Sequence, residues 1–412
     1  MYRQVPAPVL KIIDRLEKNG HRAYLVGGCV RDLLRGVVPQ DWDVATTALP
    51  SLVQEIFPRT LPTGIAYGTV TVICGDDEVE VTTLRRDGIY RNGRHPSRVF
   101  FGEDIGQDLR RRDFTINAMA YDPRQDELID PTGGLEDLQA GILRAVGDPR
   151  VRFREDALRM LRAIRFVGQL GLEIEPETWQ ALCSLHTGLG RLASERIRPE
   201  LDKILLQGSV ASSLAKLDES GLLGLIFPPL YSQNSYPLTV VFRAAGLLPP
   251  VLHLRLAGLL VGLTDVAPLL KGLHYGKDFS RQVGHLIKHL DTISKNPADP
   301  ASLRYFLSSL GREKLTDLGL LVNSLKEAGG WSREEGTEIQ KRLQKLGRLA
   351  KEDFPLSPAQ LAVDGSDIID YLELKPGPWV GVILEQLWLE VLEAPSRNRR
   401  EYLLSRARQI KP

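Results

Sequence analysis

Asp41 and Asp43 have the clearest capacity for chemistry in this chain. The run Asp41-Trp42-Asp43-Val44 alternates polar and apolar residues, which predicts a strand carrying both aspartates on one face, about 6.5–7 Å apart along the backbone. Carboxylates so placed suit a pair of hard divalent cations, the arrangement that phosphoryl and nucleotidyl transfer call for. Glu80, flanked by Val79 and Val81 in a predicted hairpin, is the candidate third carboxylate. An Asp-x-Asp pair alone occurs often by chance and more often reads as a solvated strand edge. Its context adds weight: Gly27-Gly28 falls at a predicted strand-to-helix junction, where bare N–H groups and a helix N-terminus can hold a triphosphate, and Arg31 in the first turn can pair with it.

The elements that must position these residues are legible in the periodicity. Val9, Leu10, Ile12, Ile13 and Leu16 recur at helical spacing after Pro8, and Asn19-Gly20 supplies a stop. Residues 23–26 read as a short buried strand and residues 30–34 as the helix that follows it. Val70 and Val72 alternate with Thr69 and Thr71, Gly75-Asp76-Asp77 offers a turn, and Val79 and Val81 alternate with Glu78, Glu80 and Thr82, which makes a hairpin. Beyond about residue 136 the strand signals thin out. Amphipathic helices are expected over 153–170 and 195–206, with loops at Pro228-Pro229, Pro249-Pro250 and Asn296-Pro297. The fold class is therefore α+β, a small mixed head followed by an all-α remainder.

Bulk properties narrow the functional classes. With 412 residues and 43% hydrophobic content the chain can bury more than one core. A formal net charge of +1 excludes a protein that coats nucleic acid by bulk attraction, so any RNA contact is local. Cys29, Cys74 and Cys183 fit neither a disulfide framework nor a Cys/His zinc site, which points to a reducing compartment. The first residues lack a secretory pattern and no apolar run reaches the roughly 18 residues of a membrane span, so a cytoplasmic protein is expected.

Four segments, in order, carry a resemblance. Residues 25–36 (LVGGCVRDLLRG) followed by 41–46 (DWDVAT), then 111–120 (RRDFTINAMA) with 130–134 (DPTGG), then 155–159 (EDALR), then 195–200 (ERIRPE), together resemble the motifs of the class II tRNA nucleotidyltransferase and poly(A) polymerase family, bacterial CCA-adding enzymes included. The match is dense over the first half and looser beyond, where 365–379 resembles the tail of Gram-positive-type CCA enzymes. The resemblance implies a polymerase β-like nucleotidyltransferase head over residues 1–140, a neck with a nucleotide-base reader over 141–205, a helical body over 206–290 and a tRNA-binding helical tail over 291–412. It implies template-independent addition of CCA to the tRNA 3′ end from CTP and ATP, with pyrophosphate released and Mg²⁺ held by Asp41 and Asp43. The alternative on the same fold is an A-adding enzyme or a poly(A) polymerase.

The resemblance also assigns roles along the neck. Arg159 follows Asp156 by three positions on the predicted helix, and Arg162 and Arg165 continue the row. A carboxylate can accept from an exocyclic amine while a guanidinium donates to a ring nitrogen or carbonyl, which imitates a Watson–Crick edge. In an unplaced helix the same row reads as a solvated face. The family assigns base reading to Asp156 and Arg159, with Glu155 positioning the arginine, and gives Gly28, Arg31, Arg112 and Asp113 a part in holding the nucleotide. The basic, glycine-containing segment 85–98 resembles the flexible loop of CCA- and A-adding members. Two basic groups, Lys341, Arg342, Lys345 and Arg348, and Arg397, Arg399, Arg400, Arg406 and Arg408, either follow an RNA backbone or are solvated faces. His253 lies in an apolar run without the His-Asp pair of a phosphohydrolase and reads as part of a core helix.

Overall fold

The computed structural model describes residues 2–75, 77–87, 99–295 and 299–410. Most of the basic segment 85–98 therefore lies outside the described residues. The chain divides into two compact units, one formed by Met1–Ile204 with Lys216–Ile226 and the other by Leu205–Ala215 with Phe227–Pro412.

The first unit is built on strands β1 (Ala23–Val26), β2 (Asp43–Thr46), β3 (Thr60–Gly64), β4 (Thr69–Cys74), β5 (Asp77–Thr83), β6 (Arg85–Asp87), β7 (Val99–Phe101), β8 (Ala120–Asp122) and β9 (Glu127–Ile129). A seven-stranded sheet runs in the order β3-β4-β5-β2-β1-β8-β9. Within this sheet, among the described residues, only β2 and β5 pair in parallel, and β6 with β7 forms a separate ribbon. Helices α1 (Ala7–Lys18), α2 (Gly28–Leu34) and α3 (Pro50–Ile56) accompany the sheet, followed by α4 (Ile105–Arg110) and α5 (Gly134–Ala140). The valine–threonine alternation decides which face is which. Val44, Val70, Val72, Val79 and Val81 are buried in one core with Val9, Ile12, Ile13 and Leu16 of α1 and Val53 of α3. On the opposite face Tyr24, Val26, Ala45 and Leu84 pack with Leu109, Ala118, Ala120 and Val146. Asp43, Glu80, Thr69, Thr71 and Thr82 line an open cavity on that same face.

Two expected elements differ. Strand β2 begins at Asp43, so Asp41 lies in the bend before it rather than on the strand. The ladder with β5 reaches only the Trp42 carbonyl, which accepts from Glu80 N at 3.3 Å, and Asp41 beyond it escapes the pleat. The helix expected over 153–170 is broken. Helix α6 (Pro149–Glu155) stops, Asp156 takes an extended conformation with φ −150° and ψ 106°, and α7 (Leu158–Leu170) starts anew. The Asp156 carboxylate accepts from Leu158 N at 3.0 Å, and a short acidic side chain that satisfies backbone donors in this way starts a helix more readily than it continues one. Helices α8 (Pro176–Leu185) and α9 (Ser194–Leu205) follow, and a small parallel pair, Ile142–Leu143 with Glu173–Ile174, ties the start of this region to the end of α7.

The second unit has no strand among its described residues. Its helices include Leu238–Leu247, Leu252–Leu260, Lys277–Lys295, Leu315–Ala328, Arg333–Leu349 and Trp379–Glu393. His253 bonds Asp317 at 2.9 Å at the start of a helix whose residues 254–260 are buried, as a core helix requires. Arg255, 3% exposed, donates to the carbonyls of Leu205, Gln207, Leu248 and Pro249. Several cations of the two basic groups have partners inside this unit: Arg342 donates to Ile293 O and Ser294 O, Arg397 pairs with Glu393, Arg400 with Asp367 and Arg406 with Glu390. Among the described residues no helix is long and apolar enough to cross a membrane.

Candidate active site

Helix α2 follows β1 through Gly27 alone, which has φ 76° and ψ −132°, a conformation in practice reserved for glycine. A Cβ at Gly27 would stand 2.8 Å from Arg112 Nη1 and 3.7 Å from Asp43 Oδ2. The turn, one guanidinium and one carboxylate thus converge to within contact of each other. Arg31, buried, donates through Nε and Nη2 to Asp32 at 2.9 and 3.0 Å and through Nη1 to Asn117 Oδ1 at 2.7 Å.

Across the parallel pair Asp43 is the register partner of Glu80, which sets both carboxylates side by side on the cavity face. Asp41 lines the same cavity despite lying outside the strand. Burial and then the neighbouring Glu80 push the Asp43 carboxyl up to about 6, with Asp41 adding to the repulsion and Arg112 opposing it. No group of three or more His, Cys, Asp or Glu side chains closes into a metal cage among the described residues. Oxygen donors gathered on one rim, without a closed cage, fit a hard cation such as Mg²⁺, which usually takes one or two protein carboxylates and completes its shell with water and substrate phosphates.

Asp113 is buried and accepts from Phe114 N at 2.9 Å and from Arg162 at 2.7 and 2.6 Å. Burial opposes its ionisation, but the charges of Arg162 and Arg159 outweigh burial and hold the carboxyl below the usual carboxylate range. Asn117 bridges this pair to the glycine turn, bonding Arg31 through Oδ1 and Asp113 through Nδ2, the latter at 3.4 Å. Arg112 reaches Asp108, a buried carboxylate that also takes Arg111.

The helix break shapes the neck side of the cavity. Asp156 Oδ2 accepts from Arg196 Nη2 at 2.8 Å. Arg159, the second residue of α7, is held by Glu155 Oε2 at 2.7 Å and donates to the carbonyls of Arg152 and Arg111. Arg162 and Arg165 continue along α7, with Arg165 bonded to Glu200 at 2.7 Å. Gly28, Arg31, Asp41, Asp43, Glu80, Arg112, Asp113, Asp156, Arg159, Arg162 and Arg165 all line one cavity of about 970 Å³, a volume suited to a nucleotide. Glu155 stands behind Arg159 rather than in the lining. Sequence reasoning did not single out Asn117, Phe166, Arg196 or Lys203, which share this lining. Asn117 and Arg196 sit inside segments already quoted as motifs, so the signal was present there.

Comparison with known proteins resolves what such a cavity belongs to. Residues 23–144 match the family profile of the poly A polymerase head domain, residues 171–233 that of an RNA and SrmB binding site of polymerase A, and residues 256–407 that of tRNA nucleotidyltransferase domain 2. A CCA-adding enzyme of Limosilactobacillus reuteri is 34% identical over 415 aligned residues, covering 99% of this chain and 98% of its own. That of Geobacillus thermodenitrificans is 35% identical over 97% of this chain and 96% of its own.

The chain belongs to the CCA-adding enzyme family.

The solved structure of the Bacillus stearothermophilus CCA-adding enzyme in complex with CTP superposes with a TM-score of 0.75 at 31% identity, covering 98% of this chain and 99% of that one. The Thermotoga maritima CCA-adding enzyme complexed with tRNA shares the fold, with a TM-score of 0.64 at 21% identity. In a CCA-adding enzyme the expected α+β class, head first and helices after, is the architecture described above.

Proposed function

We propose that this chain adds C, C and A to the 3′ end of tRNA, using CTP and ATP and releasing pyrophosphate. The observation that carries the reading is the meeting of Asp43, Glu80 and Asp41 with the Gly27–Gly28 turn and Arg112 on one cavity wall, in a chain that aligns end to end with CCA-adding enzymes. Asp41 and Asp43 hold the divalent cations, Mg²⁺ by their oxygen-only donor set, which when bound supply activation of the RNA 3′ hydroxyl and neutralisation of the pyrophosphate leaving group.

The chain's own residues do the rest. Backbone N–H groups of the glycine turn and the guanidiniums of Arg31 and Arg112 bind the triphosphate. Asp156 and Arg159 present an acceptor and donors to the edge of cytosine or adenine, and Glu155 keeps Arg159 at its station. Asp113, paired with Arg162 and linked through Asn117 to Arg31, joins base site to phosphate site. Positioning of the two reactants supplies much of the rate. In domain terms this places the nucleotidyltransferase head at 1–140 and the base-reading neck at 141–205, with the body at 206–290 and the tRNA-binding tail at 291–412.

The test uses tRNA transcripts ending at the discriminator base, at C, or at CC, each incubated with the enzyme and one labelled nucleotide. Labelled CMP enters the first two and labelled AMP the third. An enzyme that adds AMP to the CC transcript but no CMP to the first is an A-adding enzyme, and this reading fails.

A further inference from the structure

Phe166 is 5% exposed, lines the cavity, and has three guanidiniums gathered on it. Arg165 lies 4.2 Å from the ring centroid, Arg162 5.3 Å and Arg31 5.5 Å, while Phe114 meets the same ring edge-on at 5.9 Å. Two of these arginines come from α7 and the third from α2, beside the glycine turn. Three like charges converging on one spot repel each other. Asp32, Asp113 and Glu200 answer them as ion-pair partners at 2.9, 2.6 and 2.7 Å, and the ring offers attraction from its negative face.

A face-on aromatic contact differs from an ion pair in what it leaves available. A guanidinium carries its N–H donors in plane, so an aromatic neighbour can hold its flat side without consuming the donors that bond a phosphate or a base. Phe166 also sits where the phosphate-side arginine and the neck arginines share a neighbour. We propose that Phe166 is a positioning residue that sets the spacing of Arg31, Arg162 and Arg165, and so fixes the phosphate-binding end of the site relative to its base-binding end. A leucine would fill much of the same apolar space, yet supplies no quadrupole.

This inference rests on the nucleotide-binding reading above, and the experiment separates the two. CTP binding to the full-length chain is measured by calorimetry in the presence of Mg²⁺ and without tRNA, for wild type, Phe166→Leu and Phe166→Tyr, alongside thermal unfolding and steady-state kinetics. Phe166→Leu is expected to bind CTP about tenfold more weakly and to raise KM in proportion, with kcat within about twofold of wild type. Phe166→Tyr, which keeps the ring, restores binding to within about twofold of wild type. Should Phe166→Leu fail to fold, Phe166→Met carries the same comparison. Wild-type affinity in the aliphatic variant, or a tyrosine variant as weak as the aliphatic one, overturns the proposal while leaving the reading of the site intact. A wild-type chain that does not bind CTP overturns both.

Discussion

Asp43 and Glu80 are register partners across the single parallel strand pair of the seven-stranded sheet, which sets two carboxylates side by side on its cavity face. The charge of Arg112 opposes the combined effect of burial, Glu80 and Asp41 on Asp43. Such a site holds its charge at a cost in stability until a ligand cation arrives.

The cost is measurable. With its pKa raised to about 6 from 3.8, Asp43 binds a proton more readily in the folded than in the unfolded state, so its ionised form destabilises the fold above about pH 6, and the penalty fades as pH falls through 6 toward 4. Asp43→Asn is expected to raise the metal-free unfolding free energy at pH 8 by about 2–3 kcal/mol, with a matching rise in Tm, and to leave both nearly unchanged at pH 4. Thermal unfolding in EDTA at the two pH values checks this, and a variant less stable than wild type at pH 8 contradicts it.

Divalent metal should act in the opposite direction. Mg²⁺ added to wild type at pH 8 raises Tm, because the cation binds the folded carboxylates, and does so less at pH 5.5 where Asp43 is protonated. In Asp43→Asn the metal-dependent shift should be small at both values. A shift of equal size in variant and wild type would place the metal elsewhere.

Gly27 is a second point of leverage. Any side chain there must adopt φ 76° and meet Arg112 Nη1 at 2.8 Å. Gly27→Ala is therefore expected to cost about 1–3 kcal/mol in unfolding free energy and, with Arg112 proposed to serve the phosphates and not the base, to raise KM for CTP and ATP alike. Denaturant unfolding with nucleotide titrations reads both effects. A change confined to one nucleotide would mean that Arg112 works at the base.

At the base reader, Glu155→Gln keeps the shape but weakens the hold on Arg159, which Glu155 Oε2 grips at 2.7 Å. Discrimination of CTP and ATP against UTP and GTP should fall by roughly 1–3 kcal/mol, read as ratios of kcat/KM, with little change in Tm. Unchanged selectivity would remove Glu155 from the reader.

Much of this architecture was readable because its signals are local. The alternation of valine and threonine over 69–83 fixed both the hairpin and the face that Glu80 occupies, and Gly27-Gly28 marked the turn. Asp41 was misplaced because alternation along one strand does not reveal where its partner stops pairing; the ladder ends at Trp42, a fact that belongs to β5. The apolar period predicts a continuous helix through Asp156, whereas its backbone is extended and its side chain accepts from Leu158 N where the next helix starts. The parallel pair Ile142–Leu143 with Glu173–Ile174 is two residues deep on each side and leaves no periodicity to find. Roles such as those of Asn117 and Phe166 depend on which residues come together from distant segments, and spacing along the chain carries none of that information.

The most direct test of the catalytic claim is single-turnover addition of labelled CMP to a tRNA transcript ending at the discriminator base, by wild type, Asp41→Asn and Asp43→Asn at saturating CTP and Mg²⁺. The two carboxamide variants, folded by their unfolding curves, should lose about 10³-fold or more in the rate of addition. Addition by either variant at a rate within about tenfold of wild type would contradict the assignment of these carboxylates to the chemistry.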